Sequence, residues 1–349
     1  MIIDQVSASR WQRFKEKVSP SKGGYKKLIL LVLILVTVWV LFIGFYWSAE
    51  PEPFSVSDNV SKKLEVSGNA IVTGSTVTAT LIMVSETMLD KSGGYLSNDV
   101  IPPGLYLDNI PNWELGVLKQ VRDLSRALRE GFSRSQSQST EDPDLQIAYP
   151  KFNVDSKSWL LPAAESEYRV AISSLYSYLA RISDPSNADA QFYARADNLA
   201  GWLLYVELRL GSLSQNLSAS VGQQRINTNT SGETGAMQST PTPSEQEVKT
   251  PWLKIDDVFY ESRGATWALM HFLKAVELDF QDVLADKNAT ASLRQIIREM
   301  EESQRPLFVP IILNGSGFGV FANHSLTMAN YISRANAAII DLRRLLERG

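Results

Sequence analysis

Residues 28–47, LILLVLILVTVWVLFIGFYW, run for 20 positions without a charged side chain. A helix of that length spans roughly 30 Å at about 1.5 Å per residue, which matches the hydrocarbon thickness of a bilayer. Leu, Val and Ile fill its centre, Phe45, Tyr46 and Trp47 cluster at its far end and Tyr25 sits at its near end, where interfacial aromatics belong. Arg10, Arg13, Lys15, Lys17, Lys22, Lys26 and Lys27 precede the run, and only Lys62 and Lys63 fall within about 20 residues after it. This bias predicts a cytoplasmic N-terminus. A cleaved signal peptide would have an apolar stretch of about 7–15 residues ending in a small-x-small site. Here Trp47 stands where the second small residue would be needed beside Ser48 and Ala49. The expectation is a single-pass anchor, which in a bacterium is an inner-membrane helix with the C-terminal domain in the periplasm.

The net charge of -4 conceals an asymmetry. Residues 1–27 hold seven bases and two acids, about +5, which leaves 27 bases and 36 acids, about -9, for the rest of the 349-residue chain. A domain of that sign repels phosphate backbones, so nucleic acid is not an expected partner. The chain contains no cysteine and only His271 and His324, which rules out disulfides and thiolate chemistry and argues against a His-rich metal site. No cofactor motif is present, so no cofactor is expected. The segment NGSGFG at 314–319 lacks both the Lys of a P-loop and the G-x-G-x-x-G spacing.

Beyond a basic tail (1–27) and the membrane helix (28–47), residues 48–74 read as a juxtamembrane spacer. Residues 75–218 form a first helical region, with helices expected over 75–90, 113–132, 165–182 and 188–218. The last has the clearest period: Phe192, Leu199, Val206 and Leu213 recur every seven residues, and Ala196, Leu203, Leu210 and Leu217 do the same. Residues 219–250 are rich in Ser, Thr, Gln and Pro and read as a flexible polar linker. Residues 251–349 resume helix, with a small β-hairpin expected near residues 307–321 and a final helix whose Met328, Ile332, Ala335, Ile339, Leu342 and Leu346 share one face. The predicted fold class is mainly α: an N-terminal transmembrane helix followed by an elongated antiparallel helical bundle. A homo-oligomeric coiled coil is the alternative use of the seams.

Several stretches, GGYLSNDVIPPG (93–104), DNIPNWELG (108–116), SRSQSQSTEDPDLQ (133–146), ADAQFYARADNL (188–199) and RPLFVPIILNGSGFGVFANHS (305–325), together resemble an uncharacterised family of Gram-negative bacterial inner-membrane proteins. The resemblance implies the compartment and supplies no catalytic residue.

Paired carboxylates can act as acid and base, and Asp99, Asp108 and Glu114 in or beside the Pro-rich loop are the nearest candidates. The plainer reading is that they close turns and favour a helix start, with Glu114 in a first helical turn. His324 beside Ser325 reads as a cap-region histidine and His271 as a core-edge one. The polar loop offers Ser135, Gln136, Ser137, Gln138, Glu141 and Asp142 as a candidate interaction surface. Trp113, Trp159, Trp202, Trp252 and Trp267 are expected mostly in the core. The functional expectation is a membrane-anchored periplasmic interaction or scaffold protein with an envelope protein as partner. A tethered hydrolase or lyase acting on a cell-wall glycan or lipid through the loop carboxylates is the alternative.

Overall fold

The computed structural model describes residues 24–68, 70–135, 140–184, 186, 189–226, 245–307, 311–316 and 319–348. Most of the expected basic tail, residues 227–244 of the expected linker, Gln136, Ser137 and Gln138 of the polar loop, and parts of the expected hairpin (308–310, 317–318) lie outside the described residues.

The described chain is mainly α. Its helices are α1 Gly24–Trp47, α2 Val56–Ser67, α3 Ser75–Asp90, α4 Asn109–Ala127, α5 Pro143–Phe152, α6 Ala164–Ile182, α7 Ala196–Ser218, α8 Ile255–Asp279, α9 Gln281–Asp286, α10 Thr290–Ser303 and α11 His324–Glu347. The apolar seams read from the sequence are buried: Val117, Val121, Leu124 and Leu128; Tyr168, Ile172, Leu175 and Leu179; Leu269, Leu273 and Val276; and the whole 328–346 series. Each such side chain contributes roughly 1.5–3 kcal/mol when fully buried. Helices from both sides of the 219–250 connection share one hydrophobic core.

Glycine sets the centre of the bundle. α4 and α8 run parallel, with Asn112 donating to Asp257 at 2.8 Å near their starts and Phe132 meeting Phe280 at 5.3 Å beyond their ends. Between these points the two backbones touch. A Cβ on Gly116 would lie 2.0 Å from the Glu261 carbonyl, and one on Gly264 would lie 1.9 Å from that of Trp113. Any larger side chain at either position drives the helices apart.

The other helices take their directions from similar contacts. α3 runs against α8, with Val77 N–H donating to Asp279 at 2.7 Å at one end of α3 and Lys91 reaching Glu114 at the other. α6 opposes α3 through Arg169–Asp90 and Tyr176–Glu86. α7 opposes α4 through Arg209–Asp123, α11 opposes α7 through Ser214–Ser333 and Arg343–Glu207, and α10 opposes α8 through Arg294–Glu277 and Ser303–Thr266. The starts of α4, α6, α8 and α11 and the ends of α3, α7 and α10 therefore share one end of the bundle. That end receives α1: the Trp47 ring lies against Gly93, whose φ of +86° and lack of Cβ allow the approach.

Four expectations change. The 48–74 stretch contains α2, capped by Ser55, closed by Gly68 in the left-handed region, and packed through Val56, Val60 and Leu64. The helix expected from residue 188 begins at Ala196, and Phe192 lies ahead of it between the rings of Phe132 and Phe280. α5 starts inside the expected polar loop, where the Asp142 side chain accepts from Asp144 N–H at 3.0 Å and Pro143 fixes the first turn. The small antiparallel sheet is β1 Gln223–Ile226 with β2 Glu245–Val248, so the connection expected to be flexible carries it. The expected hairpin at 307–321 lies partly outside the described residues; in its described part Asn314 bridges Asn323, Gly315 N–H donates to the Ala322 carbonyl at 3.1 Å and His324 N–H to that of Leu313 at 2.9 Å. Asn323 caps α11, accepting from Leu326 N–H at 2.8 Å.

Candidate functional site

The Pro-rich loop after α3 is built around Glu114. Rather than occupying a first helical turn, Glu114 lies in the second turn of α4, fully buried. It pairs with Lys91, and the two side chains are 0% and 2% exposed. It also accepts from the Leu96 and Ser97 backbone amides, both at 2.8 Å, and from the Ser97 hydroxyl at 2.5 Å. Lys91 donates onward to the Gly94 carbonyl. Burial pushes the Glu114 carboxyl up, while Lys91, Ser97 and Leu96 favour its ionised form. The group pins the loop from inside.

The other two candidate carboxylates sit elsewhere. Asp99 lies over Gly104, where a Cβ would come within 1.9 Å of its carboxylate oxygen. Burial raises its pKa, Glu165 adds to the rise and Lys91 opposes it. Asp108 precedes α4 without making a side-chain cap, and its charge faces Asp256 and Lys254 at the start of α8. Among the described residues no hydrogen bond joins any two of Asp99, Asp108 and Glu114.

The segment leaving α1 forms a second constellation, one that sequence reasoning missed. Arg263 of α8 takes the Glu50 carboxylate at 2.8 Å and also donates to the Ser303 and Arg305 carbonyls at 3.2 and 3.1 Å. One cation thus closes the C-terminal end of α10 and holds the strap leaving the apolar helix. Four residues on, Phe54 N–H donates to His271 Nε2 at 3.0 Å, and His271 Nδ1–H donates to the Trp267 carbonyl at 2.7 Å. This arrangement fixes the neutral tautomer. Phe54 stacks on the imidazole at 3.9 Å between ring centres. Burial pushes the His271 pKa down to about 4, and Lys274 adds to the shift. His271 is a core residue, more deeply placed than the core edge expected. The Arg263–Glu50 pair carried no local signal, because its partners are 213 residues apart.

A cavity of about 650 Å³ lies beside this strap, its lining including Glu50, Lys63, Met83, Glu86, Asp90 and Lys91. Much of its charge is already paired: Lys63 with Glu86 at 2.7 Å, Asp90 with Arg169 at 2.7 Å and Lys91 with Glu114. A smaller cavity of about 360 Å³ includes Phe259, Arg263, His324, Met328 and Tyr331. His324 there accepts from Leu313 N–H through Nδ1 at 3.1 Å, and burial lowers its pKa. Among the described residues, no three His, Asp or Glu gather as a metal site.

The described part of the candidate interaction loop is also engaged. Glu141 pairs with Arg129 at 2.7 Å, and Asp142 caps α5 and pairs with Arg181 at 2.7 Å. Ser135, Glu141 and Asp142 help line a polar hollow of about 330 Å³ with Gln191 and Tyr193. Trp113, Trp202 and Trp267 are core residues as expected, whereas Trp159 and Trp252 are exposed.

No curated protein and no solved structure matches the chain. One family model does match, over residues 20–349, and its span takes in α1, the strap, the pinned loop and every later helix. By that match the chain belongs to the family described as an uncharacterized protein conserved in bacteria, DUF2333.

Proposed function

We propose that the chain is a single-pass protein of the Gram-negative inner membrane, with residues 1–27 in the cytoplasm and the bundle in the periplasm, and that the bundle serves as an interaction or scaffold domain for another envelope protein. The observation that carries this reading is how the apolar helix is mounted. α1 leaves its long aliphatic face exposed, an apolar surface that lipid would cover. Its last turn and the strap after it are nevertheless fixed to the bundle through Trp47 on Gly93, Glu50 on Arg263 and Phe54 on His271. A rigid mount of this kind holds a surface at a set height and orientation over a bilayer. Arg263 and His271 hold the strap, and Lys91 and Glu114 pin the loop beside the Gly93 on which Trp47 rests.

Three measurements test the reading. A C-terminal alkaline phosphatase fusion should be active in intact cells, and an inactive fusion that folds in the cytoplasm overturns the topology. Photocrosslinking from bundle surface positions in living cells should give one reproducible protein adduct at near-stoichiometric yield. Turnover of an envelope lipid or glycan by the purified full-length protein, abolished by Asp99→Asn, would overturn the scaffold reading in favour of the enzyme.

A further inference from the structure

The end of the bundle that receives α1 carries an apolar surface of its own. Gly44 lies inside the uncharged run, three residues before Trp47, and a Cβ there would stand 3.6 Å from Pro103 and 3.9 Å from Leu107. The 102–107 loop therefore touches α1 about one helical turn inside the apolar segment, at the depth of its outer edge. The side chains around that contact, Ile101, Leu105 and Tyr106, face outward, with Tyr106 75% exposed.

Two more loops reach the same end. Asn112 joins Asp257 across the starts of α4 and α8, which puts Trp252 and Leu253 beside the 104–108 stretch, and both are 74% exposed. Asn98 donates to the Ser158 carbonyl at 2.8 Å and Tyr95 to that of Ser156 at 3.2 Å, which ties in Trp159, Leu160 and the 89% exposed Leu161. Beyond α1, the exposed large aromatics among the described residues are Tyr106, Trp159, Trp252 and Phe321. All four belong to this end, since Phe321 lies just before the start of α11. The opposite end exposes Val66 and Ile71 but no large aromatic. The charges near these tips are mixed, with Lys157 and Lys254 set against Asp108 and Asp155, so net charge is not what distinguishes the surface.

We infer that this end is a lipid-binding face, whose three apolar loop tips, 101–106, 159–161 and 252–253, seat in the interfacial zone of the leaflet that α1 leaves. Tyr and Trp suit that zone because their rings bury while their polar edges stay hydrated, and aliphatic neighbours add area. Exposed apolar side chains gathered at one end call for an occupant, and the Gly44–Pro103 contact makes lipid the one that meets these loops. The inference rests on the anchor reading above and deepens it: the bundle lies on the membrane surface rather than standing clear on a stalk.

The chain has no native cysteine, so single labels report without background. Val36→Cys, Tyr106→Cys, Leu161→Cys, Leu253→Cys and Val66→Cys are made in the full-length protein, labelled with an environment-sensitive fluorophore, and reconstituted into phosphatidylethanolamine–phosphatidylglycerol vesicles with or without a lipid-borne quencher. Circular dichroism confirms that each variant is folded. Labels at 106, 161 and 253 should shift to the blue and be quenched several-fold more than the label at 66, with little change on adding salt. A quenched label at 36 with aqueous labels at 106, 161 and 253 overturns the lipid-binding face and leaves the anchor standing. An aqueous label at 36 overturns the anchor and the inference with it.

Discussion

The end of the bundle that receives α1 and the end away from it are held by different physics. At the receiving end the polar links are largely buried: Lys91 with Glu114, and Arg263 with Glu50 and two carbonyls, with His271 and the strap amide of Phe54 farther along α8. At the far end the cation of the main link lies nearer to water, although Asp142 itself is buried. Arg181 bridges Asp142 and Asp144 with a side chain 23% exposed, joining the last turn of α6 to the start of α5, where each charge also suits its helix dipole. The far-end exception is Asp279, a buried carboxylate that accepts from Val77 N–H and so closes the uncapped start of α3. Buried pairs are costly to break singly, because the remaining charge has no water to turn to. The receiving end should therefore be the brittle one.

The largest expected effect follows from that argument. Lys91→Met leaves Glu114 buried with only neutral donors, and breaking a pair of this kind costs about 3–5 kcal/mol. Chemical denaturation of the full-length protein in detergent, followed by tryptophan fluorescence, measures the loss. The double variant Lys91→Met with Glu114→Gln should recover a substantial part of it. If the double variant is no more stable than the single one, the cost lies in the packing of the Lys91 stem and the electrostatic account fails.

Acid sets two buried groups of α8 against each other next. The folded pKa of His271 is depressed from 6.5 to about 4, so between those values the unfolded chain binds more protons. Its contribution is fully present above pH 6.5 and is lost as pH falls, to a total of about 3 kcal/mol at 1.36 kcal/mol per pKa unit. Asp279 works in the opposite sense. Its folded pKa is raised from 3.8 to about 6, chiefly by burial, so the folded chain takes up the proton first and gains relative stability as pH drops through that window. The two slopes partly cancel in the native protein. Asp279→Asn should expose the His271 slope as a steeper acid loss between pH 6.5 and 4, and His271→Gln should flatten or reverse the curve. If both variants show the native slope, neither group titrates as its surroundings require.

Gly264→Ala probes the helix contact beside the receiving end. A methyl group would overlap the Trp113 carbonyl, and overpacking of this kind costs about 1–3 kcal/mol. Gly201→Ala is the control, because its surroundings are open and the change favours helix. Thermal unfolding should separate the two variants in opposite directions.

The sequence reveals those features of the molecule that repeat along it. The uncharged run of α1 and the three-four spacing of Val117, Val121, Leu124 and Leu128, or of Met328, Ile332 and Ala335, are local patterns, and local patterns specify helices and their buried faces. Ser55, then Val56, Val60 and Leu64, then Gly68 spelled out α2 in the same code, but the run is short and was overshadowed by the Pro-containing stretch before it. Phe192 extended the heptad of α7 by coincidence: its ring packs on Phe132 and Phe280 from ahead of the helix, and not as a member of it. The candidate site was legible only as a region. Glu114 reads as an ordinary acid near a helix start, and nothing near it in sequence announces that Lys91 and the Leu96 and Ser97 amides will close over it. Gly116 and Gly264 gave a fainter signal, as glycines inside apolar helices with no turn to explain them.

The smallest expected effect is the one that makes the comparison quantitative. Arg181→Ala removes both far-end bridges, at 2.7 Å to Asp142 and 2.5 Å to Asp144. Asp142 is left with its capping bonds to the Asp144 and Leu145 amides, and Asp144 lies near enough to water to be rehydrated. With Arg181 and Asp144 partly exposed and Asp142 keeping its capping bonds, the loss should be about 1 kcal/mol, and it should weaken further as salt screens it. The loss for Arg181→Ala, measured in the same denaturation experiment as Lys91→Met, should therefore be several-fold smaller and should shrink at high salt, whereas the Lys91 loss should hardly move. Equal losses with equal salt dependence would mean that burial does not distinguish the two ends, and the rigid mount of α1 would then have to rest on apolar packing alone, through Trp47, Phe54 and the α4–α8 contact.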